Sequence, residues 1–125
     1  MTKRAITTDG APRPAGGYSQ AIVAGDQVWV AGQVGIDPAT GEVAGPTTAD
    51  QTHQALANIE AILVAAGCGL GDLVNVTVFL DSMDDFAEYD AAYRAIVPDI
   101  KPARATVGAS IAPFKVEIQA TAVLP

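Results

Sequence analysis

The residue in this sequence best suited to binding a small anion is Arg104, at the start of the apolar run 103–107. A guanidinium is always charged and carries five donors in a planar fork that matches the edge of a carboxylate. Such a group is costly at the start of a buried strand unless it has a partner or points to water. Two interpretations therefore stand: a solvated arginine at a strand start, or an anchor for a small carboxylate.

Glu117, on the next predicted strand, is an acidic side chain that could act together with Arg104. If the last two strands pair with each other, with Ile111 opposite Val116, Glu117 faces Ser110. Arg104 then lies six residues farther along, roughly 20 Å away. Within one chain the two side chains could not share a small ligand, so a second copy of the chain would have to supply one of them.

The remaining reactive side chains do not form a recognisable site. His53, the single histidine, has no nucleophile or metal-binding neighbour at helical spacing, which favours a solvated helix face. Cys68 lies between two glycines without a basic group nearby to lower its pKa. The glycine-rich stretch 67–71 follows a helix and precedes a strand, the reverse of a phosphate-binding loop. No metal site and no cofactor are predicted.

Composition limits the classes of function. The chain has 125 residues, 50% of them hydrophobic and 17% charged, and a net charge of −7. We expect one domain spanning 1–125, with the wrong sign of charge for nucleic acid or anionic lipid. The one cysteine fits a reducing cytoplasm, and no run approaches the ~20 apolar residues of a membrane span. We therefore expect a cytoplasmic protein with no membrane partner.

Hydrophobic periodicity and turn signals predict an α+β fold with the order β-β-β-α-β-α-β-β. The sheet should be mixed and mostly antiparallel, with both helices on one face. Thr48 begins the first helix with capping-box spacing and Gly67 ends it, while Ser82 and Pro98 bound the second. The predicted strands span 4–8, 18–24, 27–32, 72–80, 104–111 and 115–124.

Several predicted strands are apolar on both sides. Trp29 opposes Val28 and Val30, and Leu73 and Phe79 oppose a row of valines on the strand 72–80. Two helices can cover only one face of the sheet, and the chain is too short to cover the other. A second copy of the same sheet is the simplest cover, which predicts a homo-oligomer packed through sheet faces or edges.

The chain also resembles the RidA/YjgF family of reactive-intermediate imine and enamine deaminases. The most specific part of the resemblance is the strand start Pro102-Ala103-Arg104, followed by a glutamate on the next strand. The segments that carry the resemblance lie in family order at 17–21, 31–34, 37–42, 101–107 and 116–120. The resemblance implies a chorismate-mutase-like fold and a homotrimer with three clefts between subunits. It also implies water-driven release of ammonia from 2-imino or enamino acids, giving 2-oxo acids without a cofactor.

The resemblance assigns roles to individual residues. Arg104 matches the arginine that holds the substrate carboxylate, Glu117 the glutamate that helps place water, and Tyr18 a tyrosine that lines the cleft. Gly32 matches a backbone contact, and Thr106 a position whose main chain meets the imine nitrogen. Imine hydrolysis is intrinsically easy, so holding the anion, orienting a water and supplying a proton route suffice.

Three positions depart from the best-known members of that family. Thr106 replaces a common cysteine, Ala31 a frequent serine, and Asp90 a frequent asparagine. If Asp90 faces the ligand, its carboxylate would repel an anionic substrate or favour a cationic part of one. These departures keep a second hypothesis open, a non-catalytic module that binds a small carboxylate and regulates a partner enzyme. A third, an RNA-acting protein, is opposed by the acidic net charge.

Overall fold

The computed structural model describes residues 2–125, and the predicted element order is observed. Short 3-10 turns precede β4 and α2. Among the described residues, no helix combines the length and apolarity needed to cross a bilayer. The strands are β1 (Lys3–Ile6), β2 (Ala21–Ala24), β3 (Gln27–Val34), β4 (Leu73–Leu80), β5 (Ala103–Gly108) and β6 (Val116–Val123), and the helices are α1 (Thr48–Ala66) and α2 (Phe86–Ile96).

The six strands form one sheet in the order β1-β2-β3-β6-β4-β5. All neighbours are antiparallel except β4 and β5, whose parallel pairing requires a crossover, and α2 supplies it. The predicted direct pairing of the last two strands is wrong. Leu80 at the end of β4 pairs with Gly108 of β5 on one side and Val116 of β6 on the other, so β4 separates them.

Both helices pack on one face of the sheet, as the apolar pattern predicts. The buried face of α1 includes Leu56, Ile59 and Leu63, all fully inaccessible to solvent. Thr47 caps this helix one residue earlier than predicted, since its hydroxyl accepts from the backbone of Asp50 at 3.0 Å. Gly67 ends it in the left-handed conformation, with φ of +98°, which favours glycine.

Two local predictions are corrected by the structure. Strand alternation places Val74 in the same row as Val76 and Val78, but a register shift after Leu73 turns it outward and leaves it 46% exposed. Ser82 caps a 3-10 turn, Met83–Asp85, rather than α2 itself, which begins at Phe86. In both cases the predicted element forms, but its register or its first residue is shifted by one or a few positions.

The other face of the sheet carries exposed apolar side chains. Trp29 is 52% exposed and Val107 43%. On β6 the side chains alternate, with Val116 and Ile118 buried toward the helices and Gln119 exposed on the open face. One face is therefore covered within the chain, and the other keeps a surface suited to contact with another molecule.

Candidate functional site

The structure divides the predicted site residues between two cavities. The first, the Arg104 pocket, has a volume of about 520 Å³. Its lining residues are Asp90, Tyr93, Arg94, Lys101, Pro102 and Arg104. The second, the Glu117 pocket, has a volume of about 430 Å³. Its lining residues are Pro12, Arg13, Ala15, Tyr18, Ala31, Gly32, Gln33, Val34, Ile36, Phe114 and Glu117.

Arg104 is held by helix α2 rather than by solvent. Its Nη1 donates to Oδ1 of Asp90 at 2.7 Å, and its side chain is 23% exposed. The guanidinium carbon also lies 4.7 Å from the ring centre of Tyr93 and 5.3 Å from that of Tyr89. Both distances fall in the range of cation–π attraction. The arginine is thus fixed in place, and most of its five donors remain for a ligand.

Asp90 is the partner that the sequence did not reveal. It is 8% exposed and bonds both Arg104 and, at 2.9 Å, the Nε of Arg94 one helical turn later. The hydrogen bond from Arg104 lowers the pKa of Asp90, against the burial that would raise it, and Arg94 adds to the lowering. Asp90 is therefore a carboxylate at neutral pH, and it already occupies part of the Arg104 fork.

The two tyrosines beside Arg104 stay neutral. Burial raises the pKa of Tyr93 to about 12, and among residues 2–125 no partner meets its buried hydroxyl. Burial also raises the pKa of Tyr89, although a hydrogen bond to Oγ1 of Thr106 at 2.7 Å opposes the shift. The Thr106 side chain is thus engaged with α2, and its main chain lies on β5, one of the two edge strands of the sheet. Neither phenol is suited to act as a base.

The Arg104 pocket gathers positive charge in an acidic chain. Lys101 and Arg94 line it together with Arg104, and Asp90 is the one acidic lining residue. The Lys101 ammonium is fixed by the carbonyl oxygens of Arg94, at 3.1 Å, and Val97. Scattered along the sequence, these cations gave no basic stripe, but the turn after α2 and the start of β5 bring them to one cavity. Such a cavity attracts small anions.

The Glu117 pocket depends on a bulge in β3. Between Val30 and Gln33 the pairing with β6 shifts, so Ala31 and Gly32 oppose a single residue of β6. A Cβ on Gly32 would overlap the carboxylate of Glu117, so the carboxylate lies directly over the glycine backbone. Gly32 is required here for the close approach of a side chain rather than for an unusual φ.

The loop before β2 forms the outer wall of the Glu117 pocket, and Tyr18 belongs to it. Tyr18 is 50% exposed, and its hydroxyl accepts from the backbone N–H of Ala15 at 3.2 Å. Ala31 lies behind this wall, where its N–H donates to the carbonyl of Gln20 at 2.9 Å. The structure therefore brings the predicted residues Tyr18, Ala31, Gly32 and Glu117 into one cavity.

Gln20 fixes this loop to the sheet, and sequence reasoning assigned it no role. It is 2% exposed, and its amide group donates to the carbonyl oxygens of Thr8 at 3.0 Å and Pro12 at 2.9 Å. Its Oε1 accepts from the N–H of Thr8 at 2.7 Å. A glutamine inside the predicted apolar strand 18–24 was the available signal, because an amide that becomes buried must find partners.

The two pockets do not meet within one chain. Arg104 pairs with Val76 on β4, whereas Glu117 pairs with Phe79 of the same strand, so two inter-strand spacings and three residues separate them. Strand geometry makes this about 14 Å between backbone positions. Arg104 faces α2 and Glu117 the open face. The pairing of the last two strands that was assumed from the sequence is wrong. Arg104 and Glu117 are nevertheless far apart within one chain.

Among the described residues, the reactive side chains outside the two pockets do not form a further site. Within residues 2–125, no three histidine, cysteine or acidic side chains lie together in a way that could hold a metal ion. Burial, followed by the charge of Asp72, raises the pKa of the Cys68 thiol. A raised pKa disfavours the thiolate, the nucleophilic form of cysteine.

The chain is an α+β protein: two helices cover one face of a six-stranded sheet, and the Arg104 pocket lies at one edge strand. Residues 8–124 match the family model described as Endoribonuclease L-PSP. The chain belongs to this family, the RidA/YjgF family.

Individual relatives agree with this assignment over nearly the full length. A RutC family protein of Pyrococcus horikoshii is 47% identical, over 97% of this chain and 96% of its own. The bovine 2-iminobutanoate/2-iminopropanoate deaminase is 37% identical, over 98% of this chain and 91% of its own. The crystal structure of the Escherichia coli YjgF gene product, 38% identical, superposes with a TM-score of 0.91 and covers 96% of this chain and 98% of its own.

Proposed function

We propose that this protein is a cofactor-independent deaminase that hydrolyses reactive 2-imino or enamino acids to 2-oxo acids and ammonia. One observation carries the proposal: a partly buried arginine, fixed by Asp90 and two tyrosine rings, borders an open cavity with most of its donors free. The bovine relative that bears a deaminase name supports the same reaction. The natural substrate would be a small acid of the 2-iminobutanoate or 2-iminopropanoate type.

Arg104 would bind the substrate carboxylate through the donors that Asp90 leaves free. A fixed guanidinium orients a planar carboxylate, and with it the adjacent C=N group. The main chain of Thr106, two residues along β5, would meet the imine nitrogen. The neutral phenols nearby would bound the site without taking up the proton.

Glu117 would place the attacking water. Water adds to the imine carbon, and the resulting carbinolamine expels ammonia once its nitrogen has been protonated. A carboxylate can relay two protons to the nitrogen, first that of the attacking water and then that of the carbinolamine hydroxyl, so that C=O forms as ammonia leaves and the carboxylate is regenerated. Gly32 would give the ligand access to backbone beside Glu117, and Tyr18 would cover it from the loop.

A homotrimer would assemble the site, because one chain keeps Arg104 and Glu117 apart. The open sheet face carries Trp29 and Val107 as exposed apolar side chains, and β5 is an edge strand. Packing these surfaces between copies would bury apolar area and set the Arg104 pocket of one subunit near the Glu117 pocket of the next. The ligand cleft would then lie between subunits.

The test couples a serine or threonine dehydratase to the purified protein and follows the decay of the imine released. We expect acceleration over buffer, and Arg104→Ala should lose about 2–4 kcal/mol of transition-state stabilisation, or roughly 30- to 700-fold in kcat/KM. Arg4→Ala, which removes an exposed arginine at the opposite edge of the sheet, is the matched control. No acceleration, or equal acceleration by Arg104→Ala, would sink the proposal.

A second candidate is a non-catalytic module that binds a small carboxylate and regulates a partner enzyme. The Asp90–Arg104 contact favours it, because a fork already engaged by a carboxylate can bind anions without the geometry required for reaction. Thermal stabilisation by 2-oxobutanoate without imine decay would distinguish it from the deaminase.

The family description Endoribonuclease L-PSP raises RNA cleavage as a third function. The net charge of −7 and a pocket with three cations do not provide a surface for a polyanion. Salt-sensitive RNA binding that is lost in Arg104→Ala would support RNA cleavage as the function instead.

A further inference from the structure

The Asp90–Arg104 contact has a consequence beyond anchoring. We propose that Asp90 makes the anchor selective for zwitterionic ligands over simple anions, so that the protein prefers an iminium substrate to its 2-oxo acid product. The inference rests on the proposed function, because it takes Arg104 as the carboxylate anchor. Asp90 would act on the ligand through its charge, from its place beside Arg104, and need not touch the ligand.

The contact geometry places a fixed negative charge beside the anchor. The Asp90 carboxylate lies 2.7 Å from Nη1 of Arg104, is 8% exposed, and remains ionised because Arg104 and Arg94 both bond it. A ligand carboxylate on another edge of the same guanidinium would lie about 6 Å from Asp90. At that distance the two carboxylates repel each other, and partial burial limits the screening by salt.

The repulsion depends on the net charge of the ligand. A 2-oxo acid carries one negative charge and experiences all of it. A 2-imino acid protonated on nitrogen also carries a positive charge one bond from its carboxylate-bearing carbon, which offsets most of the repulsion. The iminium is also the form that water attacks most readily, so the same preference selects the reactive species and weakens retention of the product.

The other groups that line the Arg104 pocket do not produce this discrimination, and Glu117, which the proposed trimer would bring to the same cleft, is unchanged in an Asp90 variant. The hydroxyls of Tyr89 and Tyr93 are neutral, and Lys101 and Arg94 are cations that attract any carboxylate. Among the residues that line the Arg104 pocket, Asp90 is the one negative charge. A variant at this position should therefore change the ratio of two affinities rather than both affinities equally.

Two stable ligands of the same carbon skeleton test the proposal without relying on turnover. Dissociation constants of 2-oxobutanoate, a monoanion, and L-2-aminobutanoate, a zwitterion, are measured calorimetrically for the wild type and Asp90→Asn. The asparagine keeps an oxygen that can accept from Arg104. We expect 2-oxobutanoate to bind about tenfold tighter in Asp90→Asn, with little change for L-2-aminobutanoate.

Controls separate this inference from the function on which it rests. Asp26→Asn removes the same charge at an exposed hairpin turn far from β5 and should leave the ratio unchanged. Asp90→Ser, neutral and smaller, should shift the ratio of the two dissociation constants as Asp90→Asn does. It replaces Asp90→Asn if that variant is too unstable to measure. A ratio unchanged in both Asp90 variants, while Arg104→Ala weakens both ligands, would overturn the selectivity alone. If both ligands bind Arg104→Ala as tightly as they bind the wild type, Arg104 is not the anchor, and the proposed function is overturned with it.

Discussion

The Arg104 pocket and the Glu117 pocket are built by different means. In the first, side chains of one helix hold a charged group in place through a carboxylate contact and aromatic rings. In the second, a strand bulge and a loop leave space for a carboxylate over bare backbone. The first is cationic and partly buried, whereas the second carries Glu117 and the half-exposed Tyr18.

This difference in construction fits two different roles for the two pockets. A helix gives a rigid platform and a fixed charge, which suits the binding of an anion. A loop and a bulge give access to backbone and water, which suits placing the group that reacts. Variants in one pocket should therefore change affinity, and variants in the other should change rate or the integrity of the loop.

The largest expected effect is that of Glu117→Gln, which should lower kcat by about 10²- to 10³-fold while the affinity for 2-oxobutanoate changes little. The amide keeps the shape of the side chain but cannot take up the water proton. Steady-state kinetics with a coupled dehydratase measure it, with exposed Glu60→Gln on α1 as the control. A loss of ligand affinity as large as that of Arg104→Ala would break the division between the pockets.

Gln20→Ala should destabilise the protein by about 2–4 kcal/mol, because the N–H of Thr8 and the carbonyl oxygens of the loop lose their partner. Urea unfolding measures the change, and exposed Gln27→Ala at the start of β3 serves as the control. The Arg104 pocket should keep its affinity for 2-oxobutanoate in whatever fraction remains folded. An equal loss of stability in both variants would show that Gln20 does not hold the wall.

Gly32→Ala should cost about 1 kcal/mol of stability, since the new methyl group has to displace only the far end of the flexible Glu117 side chain. The rate should fall with it, because the displaced carboxylate no longer lies over the bulge. Gly71→Ala is the matched control, as nothing lies within 4 Å of the Cβ it would add. Unchanged stability and rate in Gly32→Ala would show that the close approach is not required.

The smallest expected effect is on how the stability of the protein depends on pH. Because the pKa of Asp90 is lowered in the folded state, its contribution to stability is complete above the unfolded pKa near ~4 and is lost as pH falls through the folded pKa. The stability difference between the wild type and Asp90→Asn should therefore be constant above about pH 5 and shrink below ~4. Urea unfolding at several pH values measures it, and a gap unchanged in strong acid would contradict the lowered pKa. Asp26→Asn should show no comparable change.

The sequence predicted the elements well, because local signals set them. Alternating apolar residues mark β4 and β6, and Gly67 ends α1 where only a left-handed residue fits. The sheet order was not predicted, because consecutive strands were assumed to pair. The parallel crossover through α2 carries β5 to the far side of β4, and β6 then pairs between β3 and β4.

The candidate residues were found largely through family resemblance, and their partners were not. No spacing in the sequence indicates that Asp90 meets Arg104, since the contact depends on how α2 packs over β5. The role of Gln20 likewise depends on a loop folding back toward it. Long-range side-chain pairing of this kind follows from tertiary packing rather than from periodicity.

The attachment of the loop by Gln20 also provides a probe of the Glu117 pocket. The amide hydrogen of Thr8 is bonded to a side chain, not to a strand, so its exchange with solvent deuterium requires only that this single contact open. Its exchange rate would then report how often the pocket wall detaches, in the absence of any ligand, while the amides of β6 report the stability of the sheet behind it.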